Sequence, residues 1–226
     1  MPHKVPDRPW KVLAADLFAL GEDKYLVLVD YYSKYFKLTK LVDSTSNTVV
    51  NVLQQHMSRH GIPEILYTDN GPEFASKEFS KFVRGYQFQH ITSSPWFPQS
   101  NGLVERTIQT AKKLLKKAPY LVILELGNSP IPGVGLSPMQ LLMGRRARTL
   151  IPIKNSLLQP MAYDSQKVQQ TLKKRQQKQK KYFDRGSNQL TPLKEGDTVR
   201  MRQGNMHGNQ QGYWANRRPE SPDHMW

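Results

Sequence analysis

The chain has 226 residues, no cysteine and a formal charge of +15, from 33 Lys and Arg against 18 Asp and Glu. Such a length allows one full domain with a tail, or two small domains, and such a charge implies a polyanionic partner, most often nucleic acid. Disulfides and Cys-containing zinc sites are excluded, the first ten residues (MPHKVPDRPW) lack the apolar core of a signal peptide, and no stretch approaches the roughly 18 apolar residues of a membrane span.

Residues 10–20 (WKVLAADLFAL) and 24–32 (KYLVLVDYY) are apolar runs joined by a short turn at 21–23. They predict a hairpin whose second strand lies near the middle of a sheet. Residues 35–42 (YFKLTKLV) alternate apolar and polar, as a strand nearer the edge does. Ser44, Thr45 and Ser46 can cap a helix over 46–60, which turns Val49, Val50, Leu53, His56 and Met57 to one face and stops at Gly61-Ile62-Pro63. A short strand is expected over 64–68, a helix over 76–84 with Phe79, Phe82 and Val83 inward, and a strand over 88–92. An irregular, proline-bearing loop (93–102) leads into a helix over 101–117 with Leu103, Val104, Ile108, Ala111 and Leu115 on its inner face. Two further helices, 119–127 and 137–143, flank a Pro/Gly-rich loop.

From about residue 150 the core pattern fades. Residues 166–185 hold eight Lys or Arg and one acid, with a thin apolar stripe of Val168, Leu172 and Tyr182. That pattern predicts a solvated helix, stable only if it packs on something. Residues 191–202 (TPLKEGDTVRMR) read as the first strand of a small barrel, and the polar tail after them as disorder. The expected class is α/β: a mixed sheet of three antiparallel strands followed by helix-linked strands, with helices on both faces.

Three acids stand in unusual places. Asp16 interrupts the first strand, Asp69 ends the fourth just before Asn70-Gly71-Pro72, and Glu105 lies in the first turn of a long helix. Fifty-two residues separate the first pair and 35 the second. An Asp-Asn-Gly by itself makes a turn. Three carboxylates brought together would repel unless a cation lay between them, and hard divalent ions suit oxygen ligands. Among the other acids, Asp30 fits structural hydrogen bonds better than metal binding, and Glu73 is read as structural, pointing away from Asp69. His56 and His60 have the i,i+4 spacing of zinc ligands but no third ligand, so packing or exposure is the favoured reading.

The residues around the three acids carry a resemblance. WKVLAADLF (10–18), YLVLVDYYSKY (25–35), HGIPEILYTDNGPEF (60–74), SSPWFPQSNGLVERTIQT (93–110) and GLSPMQLLMGRR (135–146) resemble, in order, the integrase catalytic core of Gypsy-type LTR retrotransposons and of retroviruses. The likeness covers roughly residues 5–160 and continues more weakly to 202. It implies an RNase H-like mixed five-stranded sheet flanked by helices over 5–160, a basic helical linker over 161–190, and the truncated start of a C-terminal barrel with a disordered tail over 191–226. It implies the triad Asp16, Asp69 and Glu105 as catalytic and metal-binding residues for two Mg²⁺ or Mn²⁺ ions. The reaction so implied is 3′-end processing of element DNA and strand transfer into target DNA, by a homodimer or higher multimer in the nucleus, with no membrane role.

Gln99, Ser100 and Asn101, in the loop before Glu105, and Lys112, Lys113 and Lys116, on the helix after it, are the expected DNA contacts. A plain solvated helix face is the alternative for the lysines. Arg145, Arg146 and Arg148 could add phosphate contacts. The N-terminal His/His/Cys/Cys zinc domain of such integrases is not expected here, nor any zinc. The chain is read as a fragment of a retrotransposon polyprotein or a domesticated copy. The competing function is a non-catalytic nucleic-acid-binding or multimerising protein derived from an integrase. A third, an RNase H-type nuclease acting on RNA–DNA hybrids, fits the 93–110 motif less well.

Overall fold

The structure is a computed structural model that describes residues 4–92, 102–115 and 119–183. Gln99, Ser100, Asn101, Lys116 and the strand expected over 191–202 lie outside the described residues. In chain order the elements are β1 (Val12–Leu20), β2 (Asp23–Asp30), β3 (Phe36–Leu41), α1 (Ser46–His60), β4 (Ile65–Thr68), α2 (Lys77–Tyr86), β5 (Gln89–Thr92), α3 (Gly102–Leu115), α4 (Pro119–Asn128), α5 (Pro138–Met143) and α6 (Ser165–Phe183). Among the described residues no helix is long and apolar enough to cross a membrane.

The five strands form one mixed sheet in the order β3-β2-β1-β4-β5. β1 pairs antiparallel with β2, and β2 with β3, while β1–β4 and β4–β5 are parallel. The strands at the centre are buried on both sides, which explains the unbroken apolar run Val12–Ala15 in β1. Alternation assigns the faces. Leu13 and Ala15 join Leu26, Leu28 and Leu66 on one face, under Val49, Leu53 and Met57 of α1 and Phe79 and Phe82 of α2. Val12, Ala14 and Phe18 join Val27 and Val29 on the other, under Val104 and Ala111 of α3.

Local chemistry sets the ends of the elements. Thr45 caps α1 by accepting from the Thr48 amide, and Gly61, at φ 91°, closes it with its own amide on the Met57 carbonyl. Ser76 caps α2 through the Phe79 amide, and Ser137 with Gln140 forms a capping box on α5. β1 starts at Val12, two residues later than expected. Trp10 sits at φ 61° with its indole donating to the Gly61 carbonyl at 2.8 Å, which turns the chain before the strand. β2 ends at Asp30 rather than at residue 32. The buried Asp30 carboxylate accepts from the Tyr32 and Ser33 amides and the Ser33 hydroxyl, folding the chain into a turn. That is the structural role expected for Asp30.

The basic helix α6 has a docked first half. Val168 and Leu172 are buried with Val5, Tyr32, Ile131 and Leu141 in a third apolar cluster. Gln169 adds a hydrogen bond from its amide to the Pro6 carbonyl at 3.0 Å.

Candidate active site

β1, which carries Asp16, runs parallel beside β4, which ends one residue before Asp69. Their parallel register runs Val12 with Ile65, Leu13 with Leu66 and Ala14 with Tyr67, a constant offset of 53. Extended two residues past the last pair, the same offset would set Asp16 of β1 level with Asp69, the residue that follows the end of β4. Asp16 has the alternation of Val12, Ala14 and Phe18, and Asp69 that of Ile65 and Tyr67; all five of these neighbours belong to the α3 face. Both acids are half-buried. One oxygen of Asp16 accepts from the Leu17 amide at 2.7 Å, and Oδ1 of Asp69 from the Gly71 amide at 3.2 Å, so each carboxylate is oriented by backbone close to it in sequence.

Glu105 lies in the first turn of α3; its side chain is outside the described residues. Lys112 lies seven residues, about two turns, further along α3. Lys112 holds its ammonium 5.5 Å above the Phe18 ring. Phe18 is two residues beyond Asp16 on the same face of β1, so α3 meets the far half of β1 at Lys112. Lys112 and Lys113 are both exposed. Arg145 and Arg148 are exposed as well, whereas Arg146 is engaged with the Gln140 side chain at 3.1 Å.

The reading of Glu73 needs correction. Glu73 does not point away: its Oε2 lies 3.2 Å from where a Cβ on Gly71 would stand, and Asp69 Oδ1 lies 3.1 Å from the same point. The Gly71-Pro72 turn folds the chain back, so the two carboxylates flank the bare Gly71 Cα. Glu73 also lines a shallow cleft with Leu17, Phe18, Ala19 and Lys24. Asp16 and Asp69, with Glu73 near Asp69, offer hard oxygen donors of the kind magnesium and manganese prefer. Among the described residues no group of three or more His, Cys, Asp or Glu side chains is arranged to hold a metal.

His56 and His60 serve packing. His56 is buried with Nε2 3.0 Å from the Thr39 hydroxyl, and burial, aided by Lys37 and Arg59, pulls its pKa down to about 4. His60 lies against the Trp10 ring, centroids 4.6 Å apart. Away from the site, Lys34 is pulled down to about 8 by burial, against the opposing pull of Asp30, and donates to the Tyr31 carbonyl at 2.7 Å.

Sequence reading passed over Thr68 and His90. The buried Thr68 hydroxyl donates to the Asp69 carbonyl at 2.6 Å and stands 2.8 Å from His90 Nε2. Burial lowers the His90 pKa. Only the pairing of β4 with β5 brings these residues together, and no motif spacing announces it.

Comparison with known proteins gives this geometry a context. The integrase core domain family model matches residues 6–98. The uncharacterized protein K02A2.6 of Caenorhabditis elegans is 31% identical over 173 residues, which is 70% of this chain and 13% of that protein. The chain thus spans a small part of that relative's length. The HTLV-2 integrase catalytic core domain, solved with magnesium in a trimeric form, superposes with a TM-score of 0.50 at 28% identity, covering 60% of this chain and 97% of that one. A chain of the simian T-cell lymphotropic virus intasome, solved in complex with the PP2A regulatory subunit B56 gamma, gives 0.55 at 27% identity, covering 70% of this chain and 62% of that one.

Proposed function

Since the chain carries an integrase catalytic core of the RNase H-like superfamily, we propose that it cuts and joins DNA by metal-dependent polynucleotidyl transfer, with Asp16, Asp69 and Glu105 as its catalytic carboxylates. The observation that supports this reading is the β1–β4 register, whose offset of 53 equals the spacing of Asp16 and Asp69, beside the face that α3, the helix that bears Glu105, covers.

The HTLV-2 core was solved with magnesium, and the oxygen donors here suit the same class of ion. Asp16, Asp69 and Glu105 would hold two Mg²⁺ or Mn²⁺, which when bound acidify the attacking hydroxyl and offset the charge that builds on the phosphate. The chain's own residues do the rest. Asp16 presents its oxygens from the middle of a rigid strand, so its position does not drift with the loops. Asp69 is fixed at a strand tip by the Gly71 amide. In the first step water attacks a phosphodiester near the end of the element DNA, and the bond to the leaving 3′ oxygen breaks to give a 3′-hydroxyl. In the second step that hydroxyl attacks a target phosphodiester and displaces the target's own 3′ oxygen, so no covalent protein intermediate is needed. Lys112 and Lys113, with Lys116, Gln99, Ser100 and Asn101, grip phosphates and position the strand without reading its sequence. The working form is a homodimer or higher multimer in the nucleus.

The test is resolution of a branched DNA that mimics the joined product, with Mg²⁺ or Mn²⁺, by the wild-type chain, Asp69→Asn and Glu105→Gln. Wild-type resolution that needs metal and is lost in both variants supports the reading. A folded wild-type chain that binds DNA yet resolves nothing would sink it in favour of a non-catalytic DNA-binding protein derived from an integrase.

A further inference from the structure

The β4–β5 ladder ends at the pair Thr68–Thr92. Asp69 is the next residue, and its carbonyl takes its hydrogen bond from the Thr68 hydroxyl at 2.6 Å. A hydroxyl has one proton to give. With that proton on the Asp69 carbonyl, the 2.8 Å contact between Thr68 Oγ1 and His90 Nε2 has to be donated by the ring. His90 therefore carries its proton on Nε2. It reaches across from β5, and its ring is set by the Phe79 ring, centroids 4.9 Å apart. Thr68 is 1% exposed, so water does not compete for this chain of bonds.

We propose that His90 and Thr68 form a positioning relay behind the active site: the imidazole N–H fixes the Thr68 hydroxyl, the hydroxyl fixes the Asp69 peptide plane, and that plane aims the Asp69 carboxylate at its metal. The proposal rests on the reading of Asp69 as a metal-binding carboxylate. The two faces of the sheet divide the labour. Asp69 leaves the strand on the α3 face, while Thr68 and His90 work from the opposite face, against α2. The relay thus acts through the backbone, without either side chain touching the metal or DNA. Groups in this position behave like the outer partners of metal ligands, whose loss weakens binding though they donate nothing to the ion.

The test uses the full chain and four variants. Thr68→Val keeps the shape and removes the hydroxyl; Thr68→Ser keeps the hydroxyl. His90→Phe keeps the ring against Phe79 and removes the donor; His90→Gln keeps a donor of similar reach. Mn²⁺ binding is read by electron paramagnetic resonance, backbone amide exchange over residues 66–74 by mass spectrometry, and folding by thermal melts. Asp69→Asn is the control for site-specific Mn²⁺. Thr68→Val and His90→Phe should each weaken Mn²⁺ binding about tenfold and speed exchange at 69–71, while Thr68→Ser and His90→Gln stay close to wild type. Should one of the first pair fail to fold, the other decides. Equal Mn²⁺ affinity in the folded variants overturns the relay. A wild-type chain that binds no more Mn²⁺ than Asp69→Asn overturns the reading of Asp69 itself, and the relay with it, whatever the exchange data show.

Discussion

Gly71→Ala should separate chemistry from stability. Gly71 is not among the glycines with positive φ (Gly21, Gly61, Gly133, Gly135, Gly144), so its backbone conformation is open to alanine. Replacing glycine at such a position stabilises by about 0.4–1 kcal/mol through the unfolded chain. Against this, the new methyl would stand 3.1 Å from Asp69 Oδ1, 3.2 Å from Glu73 Oε2 and 3.5 Å from Asp69 Oδ2. The first two contacts are a few tenths of an ångström inside comfortable separation, which is about 3.5 Å or more. Both carboxylates sit on rotatable side chains, and turning one off its preferred rotamer costs about 0.5–1.5 kcal/mol. The two effects nearly cancel, so the urea midpoint should hardly move. The rate should not be so forgiving. Misplacing a catalytic group by 1 Å costs on the order of 100-fold, so a shift of a few tenths should cost about tenfold in resolution of the branched DNA. Adding Glu73→Ala removes one of the crowded partners and should recover part of the loss. If Gly71→Ala resolves the substrate at the wild-type rate with an unchanged midpoint, the close approach around Asp69 has no bearing on the chemistry and the argument fails.

Three further outcomes are expected. The folded pKa of His56 lies near 4, below its ordinary 6.5, with burial as the main cause. The unfolded chain therefore takes up a proton that the folded chain refuses, and stability falls as pH drops from about 6.5 to about 4. The loss should be on the order of 2 kcal/mol once partial solvent screening is allowed for; urea melts from pH 7 to 4 should show it in the wild type and a shallower fall in His56→Leu. Leu172→Ala, at a position 4% exposed on α6, should cost about 2–5 kcal/mol in the same melts, whereas a free-standing α6 would lose almost nothing. Lys112→Ala with Lys113→Ala should weaken binding of unrelated DNA sequences alike and lower the slope of log K against log salt by up to about 2; an unchanged slope would leave these lysines as solvated surface.

Much of this architecture was legible because its elements have strong local signals. The helix over 46–60 is bounded by Thr45 and Gly61, and β4 is a short, mainly apolar run that ends at the Asp-Asn-Gly turn signal. Where the expectation slipped, a tertiary contact had overridden the local pattern. Trp10 looks like a strand residue but is held at φ 61° by an indole bond to Gly61, 51 residues away. Tyr31 and Tyr32 continue an apolar run, yet the buried Asp30 carboxylate gathers the amides beyond it into a turn. Asp16 and Asp69 could be picked out from the motifs around them. Glu73 could not be placed, because its direction depends on how the chain turns at Gly71 and Pro72. Thr68 and His90 stayed hidden because both types are ordinary in strands, and only the register of β4 against β5 makes them neighbours.

The lengths of the strands explain why a charged residue survives in the middle of the sheet. β1 has nine residues, while its parallel neighbour β4 has four and β5 four. Continued, the register pairs Ala15 with Thr68, the last residue of β4. Beyond that point β1 keeps β2 on one side, down to Leu20 opposite Asp23, but loses its strand on the other. Burial loosens at this step: Val12 to Ala15 are buried, Asp16 and Leu17 are half-buried and Ala19 is exposed, while Phe18 stays buried in the cluster on the α3 face. The long hairpin projects past the short parallel pair and leaves a notch. Asp16 is the first residue of β1 inside it and Asp69 the first residue beyond β4. An aspartate one turn of the alternation earlier, at Ala14, would sit under α3 with no access to solvent or substrate and would carry the full cost of a buried charge. At residue 18 the same offset would set it level with Gly71, in the turn beyond Asp69. Asp16 on β1 and Asp69 just past β4 stand where a carboxylate is held by the strands and still half-exposed.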